Sequence, residues 1–133
     1  MSLMRVSRSA AIVSAVLLCT SLSAVAGGDK PDVANGKTIF TQRCGICHAV
    51  NKDPGGPVAG PNMVGIVGRK AASVPGFTLY SEALKKSGLT WNVKTLSEFL
   101  IMPMQKVPGT VMPMMLPDDK ERADVIAYLA TLK

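Results

Sequence analysis

The chain has 133 residues, 47% of them hydrophobic, 18% charged and 5% aromatic, with 15 basic residues against 9 acidic. That length makes one domain once any targeting segment is set aside. There is no lysine–arginine block, no set of aromatics spaced to stack on bases, and no repeat or low-complexity tract. The formal charge of +6 therefore suits plain solubility or an acidic docking partner rather than nucleic acid.

The N-terminus reads as an export signal. Arg5 and Arg8 make a basic start, Ala10 to Thr20 is a run of apolar and small residues, and Ala24-Val25-Ala26 fits a small-x-small cleavage site with cutting before Gly27. The alternative is a retained membrane anchor, but the run is short for a span and diluted by Ser14, Ser21 and Ser23. A lipid attachment at Cys19 is poorly supported, because Leu17-Leu18 precedes it where small residues are wanted. The expected division is residues 1–26 as a cleaved signal and 27–133 as the mature domain. Losing Arg5 and Arg8 lowers the mature charge to +4.

A first helix is expected from about Pro31 or Asp32 to Ala49, capped by Asp32, with Ile39 and Phe40 on its apolar face. Its end carries Cys44-Gly45-Ile46-Cys47-His48. A C-x-x-C-H run is the attachment signature of a c-type haem. Two thiols on one short turn can bond the two vinyl groups of one porphyrin edge, and the following imidazole can then reach the iron. His48 is the only histidine in the chain. Three other readings are weaker. A zinc site needs a fourth ligand, and the remaining Cys19 falls in the segment expected to be removed. A thioredoxin-like pair lacks a surrounding βαβ pattern. A Cys44–Cys47 disulfide would close too short a loop to stabilise much.

From Asn51 to Gly68 the chain is expected to be loop, broken by Pro54-Gly55-Gly56-Pro57 and Gly60-Pro61-Asn62. A short helix is expected near Ser81 to Ser87, closed by Gly88. Another runs from about Val93 to Ile101, carries Leu96, Phe99 and Leu100, and stops at Pro103. Met102 to Pro117, rich in proline and methionine, is expected to hold no regular helix. The last helix begins at Pro117-Asp118-Asp119, with carboxylates at its positive end and Val125, Ile126, Tyr128, Leu129 and Leu132 as its apolar stripe. No strand pattern is convincing. The fold class is all-α, with four to five short helices and long loops. A bound porphyrin would supply much of the core, so the chain without haem is expected to fold poorly.

The second axial ligand would be a thioether, a soft donor that favours ferrous iron and raises the reduction potential. Met102, Met104, Met112, Met114 and Met115 are candidates, with Met63 behind them. Composition alone does not choose among them, since most must be core filling.

From Gly36 to Leu132 the chain resembles the class I c-type cytochromes, mitochondrial cytochrome c and its soluble bacterial relatives. The resemblance is carried by Gly36-Lys37-Thr38-Ile39-Phe40 before the haem motif, and by Gly60-Pro61-Asn62-Met63-Val64-Gly65-Ile66-Val67-Gly68-Arg69-Lys70 after it. It continues through Pro75-Gly76-Phe77-Thr78, Gly88-Leu89-Thr90-Trp91, Val107-Pro108-Gly109-Thr110-Val111-Met112 and Arg122-Ala123-Asp124-Val125-Ile126-Ala127-Tyr128-Leu129.

The resemblance implies one haem c joined through Cys44 and Cys47, with iron held by His48 and Met112. It also implies that the Pro61 carbonyl accepts a hydrogen bond from His48, and that Arg69, Tyr80, Trp91 and Thr110 hold the propionate side. Gly36, Phe40 and Tyr128 match the crossing of first and last helices. Phe99 stands where the mitochondrial family has a tyrosine facing the sulfur, and Met114 replaces a phenylalanine beside the haem. Met104, Gln105 and Val111 stand where that family has docking lysines, although Lys37, Arg43 and Lys106 remain nearby. The implied protein is a monomeric periplasmic electron carrier and not an enzyme. It would take single electrons from a bc-type complex or a dehydrogenase and pass them to an oxidase, a reductase or a photosynthetic centre. A subunit dedicated to one redox enzyme is the first alternative, and a peroxidase or gas-binding protein with a labile Met112 is the second.

Overall fold

The computed structural model describes residues 30–51 and 59–133. The expected signal segment and the Pro54–Pro57 breakers lie outside the described residues. Among those described, five helices are found in the order α1 (Val33–Arg43), α2 (Glu82–Lys86), α3 (Val93–Ile101), α4 (Pro103–Lys106) and α5 (Asp119–Thr131). No β-strand is found among them; one isolated bridge joins Lys70 to Thr90.

All the described helices except α4 start where the sequence offers a side-chain oxygen to the free N–H groups of the first turn. Asp32 accepts from Ala34 and Asn35, Ser81 from Leu84, and Asp118 from Glu121. Asn92 and Thr95 form a reciprocal capping box at the head of α3.

Two expectations about extent are corrected. The first helix ends at Arg43 rather than Ala49. Cys44 caps it, its N–H still donating to the Phe40 carbonyl, and the chain then tightens into turns in which the N–H groups of Cys47 and His48 both donate to the Cys44 carbonyl. Gly45 makes that tightening feasible: a Cβ there would lie 2.9 Å from the Thr41 carbonyl oxygen. The stretch from Met102 to Pro117 does contain one helical turn, α4. Pro103 opens it at a position where the missing N–H costs nothing, so the proline starts this turn rather than forbidding it.

Helices α1 and α5 cross at the closest approach in the fold. A Cβ on Gly36 would lie 2.0 Å from the Asp124 carbonyl oxygen, so only glycine lets the two backbones meet. Beside it, Phe40 and Tyr128 pack with ring centroids 5.7 Å apart. The core continues through Ile39, Val125, Ile126 and Leu129 to Leu96, Phe99 and Leu100 of α3. Leu132 of the expected stripe is only partly buried. Asp124 is fully buried at the same crossing. Its carboxylate accepts from the Asp32 backbone, from Asn35 and from Lys120, at 2.7–2.8 Å. Burial pushes this acid upward, but those donors outweigh it and bring the pKa down to about 2.

Candidate haem site

A cavity of about 240 Å³ lies between the α1 turn, the 60–80 loops, α3 and the chain that follows α4. All nine residues expected to touch the haem line it: Cys44, Cys47, His48, Pro61, Arg69, Tyr80, Trp91, Thr110 and Met112. They come from five separate stretches of sequence, so only folding collects them.

The proximal side is built by a backbone clamp. Gly60 N–H donates to the Cys47 carbonyl at 2.9 Å, and Met63 N–H to the Ala49 carbonyl at 2.8 Å. This seats the 60–63 segment against the haem-attachment turn. The Pro61 carbonyl then lies 2.8 Å from His48 Nδ1. A carbonyl can only accept, so Nδ1 carries the proton and Nε2 keeps its lone pair. Burial lowers the His48 pKa, and the bond to Pro61 opposes this only in part; the imidazole is thus held neutral, the form that binds metal. Gly60 is required by closeness to this ring: a Cβ on it would lie 2.5 Å from His48 Cε1. The sequence offered no signal for that contact beyond a glycine before a proline.

Cys44 is buried and Cys47 exposed. Burial pushes the Cys44 thiol up, against the nearby charge of Arg43, while Cys47 adds to the rise. Among the described residues no group of three or more His, Cys, Asp or Glu side chains is placed to hold a metal ion by itself.

The propionate-side candidates form a second group. The Lys70–Thr90 bridge brings Arg69 beside Trp91, whose N–H donates to the Arg69 carbonyl at 2.8 Å. The Arg69 guanidinium donates to the carbonyls of Val64 and Asn62, both at 2.8 Å. Those bonds use two of its five N–H groups, and burial lowers its pKa. The Tyr80 hydroxyl accepts from Val74 N–H at 3.3 Å, and its ring meets Phe77 edge-on; burial raises its pKa. Trp91 is buried and stacks edge-on with Phe99, centroids 5.0 Å apart.

On the distal side, Val107-Pro108-Gly109-Thr110 closes a turn through Thr110 N–H to the Val107 carbonyl at 3.0 Å. Gly109 takes φ +92° there, the geometry a proline–glycine pair supplies at low cost. Thr110 is buried and Met112 half-buried against the core. Of the six candidate thioethers, Met63, Met112 and Met114 line the cavity; Met102, Met104 and Met115 are exposed and do not.

The Cytochrome c family model matches residues 33–133. The chain belongs to the cytochrome c family. It is 47% identical to cytochrome c2 of Rhodomicrobium vannielii over 91% of this chain and 92% of that one. It is 44% identical to cytochrome c of Tetrahymena pyriformis over 76% and 89%. Cytochrome cH from Methylobacterium extorquens superposes with a TM-score of 0.66 at 42% identity, covering 75% of this chain and 98% of that one.

As a class I cytochrome c, the chain carries single electrons on one haem c bound covalently through Cys44 and Cys47, and it is not an enzyme. Its residues suit that cofactor: two thiols, a neutral imidazole with a free lone pair, and an apolar wall, with Gly60 leaving room for the imidazole. When bound, the haem supplies a one-electron ferric–ferrous couple. The Pro61 carbonyl orients the imidazole, and buried Trp91, Phe99, Leu96 and Leu100 make an apolar wall of the cavity.

Proposed function

We propose that this cytochrome c is a soluble periplasmic carrier whose iron is held by His48 and Met112, with signal residues 1–26 removed on export. The observation that carries the reading is the joint position of the two cysteines, the oriented His48 and Met112 on the wall of one apolar cavity. Pro61 positions the imidazole. Arg69, Tyr80, Trp91 and Thr110 face the propionate side. With both axial positions filled by protein, the iron changes charge without changing ligands, and electrons leave through the exposed edge near Cys47.

Docking is expected to be mainly apolar. Ile46 is 73% exposed and Val111 72% exposed, and both stand on the cavity rim. Two nearby cations are paired within the chain, Arg43 with Glu121 and Lys106 with Glu98. The electrostatic steering left to the surface is therefore thinned, with exposed Lys70 on the cavity lining still contributing, as suits a transient redox encounter. The partners by class are a bc-type complex or dehydrogenase as donor, and an oxidase, reductase or photosynthetic centre as acceptor. Among the described residues, no helix is long and apolar enough to cross a membrane.

The test is the optical spectrum of the purified ferric and ferrous protein, followed by carbon monoxide. A low-spin haem with the weak near-infrared methionine–iron band, unchanged by carbon monoxide, is expected. A high-spin or carbon-monoxide-reactive haem would overturn the closed-site reading and point to gas binding or catalysis. Mass spectrometry of the exported protein should find a chain beginning at Gly27 plus one haem; an intact N-terminus would overturn the cleavage.

A further inference from the structure

The chain just beyond the Pro108–Gly109 turn is in no helix or strand, and its burial alternates. Val111, Pro113 and Met115 are exposed, Met112 and Met114 are half-buried, and Leu116 is fully buried. Met112, Met114 and Leu116 are thus the more buried members of the row. Met112 and Met114 both line the haem cavity. The far end of the row is fixed: Leu116 N–H donates to the Leu100 carbonyl at 2.7 Å, and Arg122 Nη1 donates to the Leu116 carbonyl at 2.9 Å.

The other cavity thioether, Met63, belongs to the segment clamped to Ala49, next to His48 in the chain, and so serves the proximal side. Met114 thus places a second soft donor on the segment that carries the first, two residues further along.

Building on the proposed His48/Met112 ligation, we propose that Met114 is a reserve axial ligand, whose thioether takes the iron when Met112 is lost or lets go. Two features suit it to the task. A methionine has three rotatable bonds and a polarisable sulfur. The 111–115 segment is in no helix or strand, so no helical or ladder hydrogen bond has to break for Met114 to move toward the place of Met112. The exchange breaks one iron–sulfur bond and forms another, moving neither a proton nor an electron. Its consequence is that the iron stays closed to small external ligands while the main ligand is absent.

The test uses holoprotein of the wild type, Met112→Ala, Met114→Leu and the double variant, each with carbon monoxide binding and ferrous NMR after labelling of methionine methyl groups with carbon-13. Far-ultraviolet circular dichroism confirms that each is folded, and Met112→Leu, which keeps the side-chain volume, replaces Met112→Ala if that protein is not. The expected result is that Met112→Ala keeps the near-infrared thioether band and one methionine methyl strongly shifted by the haem ring current. Met114→Leu should look like wild type, and the double variant should lose both signals and bind carbon monoxide. Loss of both signals in Met112→Ala alone would overturn the reserve role while leaving Met112 as the ligand. The same holds if water or lysine fills the place. A silent Met112→Ala with loss of both signals in Met114→Leu would overturn the Met112 assignment itself.

Discussion

His48 Nδ1 lies 2.8 Å from the Pro61 carbonyl oxygen, and the glycine before that proline leaves no room for a side chain against the same ring. One short loop thus sets both the tautomer of the imidazole and its orientation. Gly60→Ala would force its Cβ to within 2.5 Å of His48 Cε1 and 3.0 Å of the Cys47 carbonyl. Backbone lies on one side of the clash and a ring held by its hydrogen bond to Pro61 on the other, so neither yields easily. Thermal unfolding of the holoprotein should show a loss of about 1–3 kcal/mol, with a lower yield of covalent haem. Wild-type stability in this variant would show that the loop tolerates a shift.

The buried Asp124 predicts a specific acid sensitivity. Its folded pKa of about 2 lies below the ordinary 3.8, so the stability it contributes is present above pH 3.8 and lost as the pH falls towards 2. Asp124→Asn should flatten the stability profile over that window. Asp124→Ala should cost about 1–3 kcal/mol at neutral pH, because the donors from Asp32, Asn35 and Lys120 lose their acceptor. Denaturant unfolding at a series of pH values reads both effects. An unchanged acid midpoint in the Asn variant would remove Asp124 as the source.

Arg122 is a buried arginine whose fork holds the end of the distal segment. Nη1 donates to the carbonyls of Leu116 and Pro117 at 2.9 Å, Nε donates to Ser97 Oγ at 3.0 Å, and Nη2 pairs with Asp119. A lysine cannot reproduce this planar geometry. Arg122→Lys should therefore lower stability by roughly 1–3 kcal/mol through unsatisfied carbonyls, and it should weaken the methionine–iron band before the helices melt. Equal loss of band and helix on heating would show that Arg122 acts on the whole fold and not on the loop.

Docking should respond weakly to salt. Val111 is exposed on the cavity rim, and Val111→Lys adds a positive charge without burying it. Electron transfer to an acidic acceptor should become faster at low ionic strength in this variant and fall more steeply with added salt, while wild type changes little. Stopped-flow kinetics across a salt series measures the slope. A steep slope already present in wild type would mean that the remaining cations steer docking after all.

Much of the architecture was readable from residues alone because its signals are local. Asp32, Ser81, Asn92 and Asp118 announce helix starts through side chains that cap the next few N–H groups, and Val93–Ile101 has the observed bounds. The haem motif is equally local, since its chemistry depends on two cysteines three positions apart with a histidine directly after the second. The end of α1 also carries a local signal, Gly45 just past the cap at Cys44, which the expected run to Ala49 passes over. The α4 turn was missed because a proline can end one helix and start the next, and only its position in space distinguishes the two.

The sequence by itself determined which atoms could attach a haem, which residues could ligate it, and that the chain would be helical, because those properties belong to side-chain chemistry and short-range periodicity. Only the tertiary structure decided which thioethers reach the cavity, that Gly36 and Gly60 stand against Asp124 and His48, and that Arg69 lies beside Trp91. Those relations join residues far apart in the chain or turn on the path of a loop. They are fixed by close packing and by buried polar groups that must find partners, conditions met only when the whole chain has closed on itself.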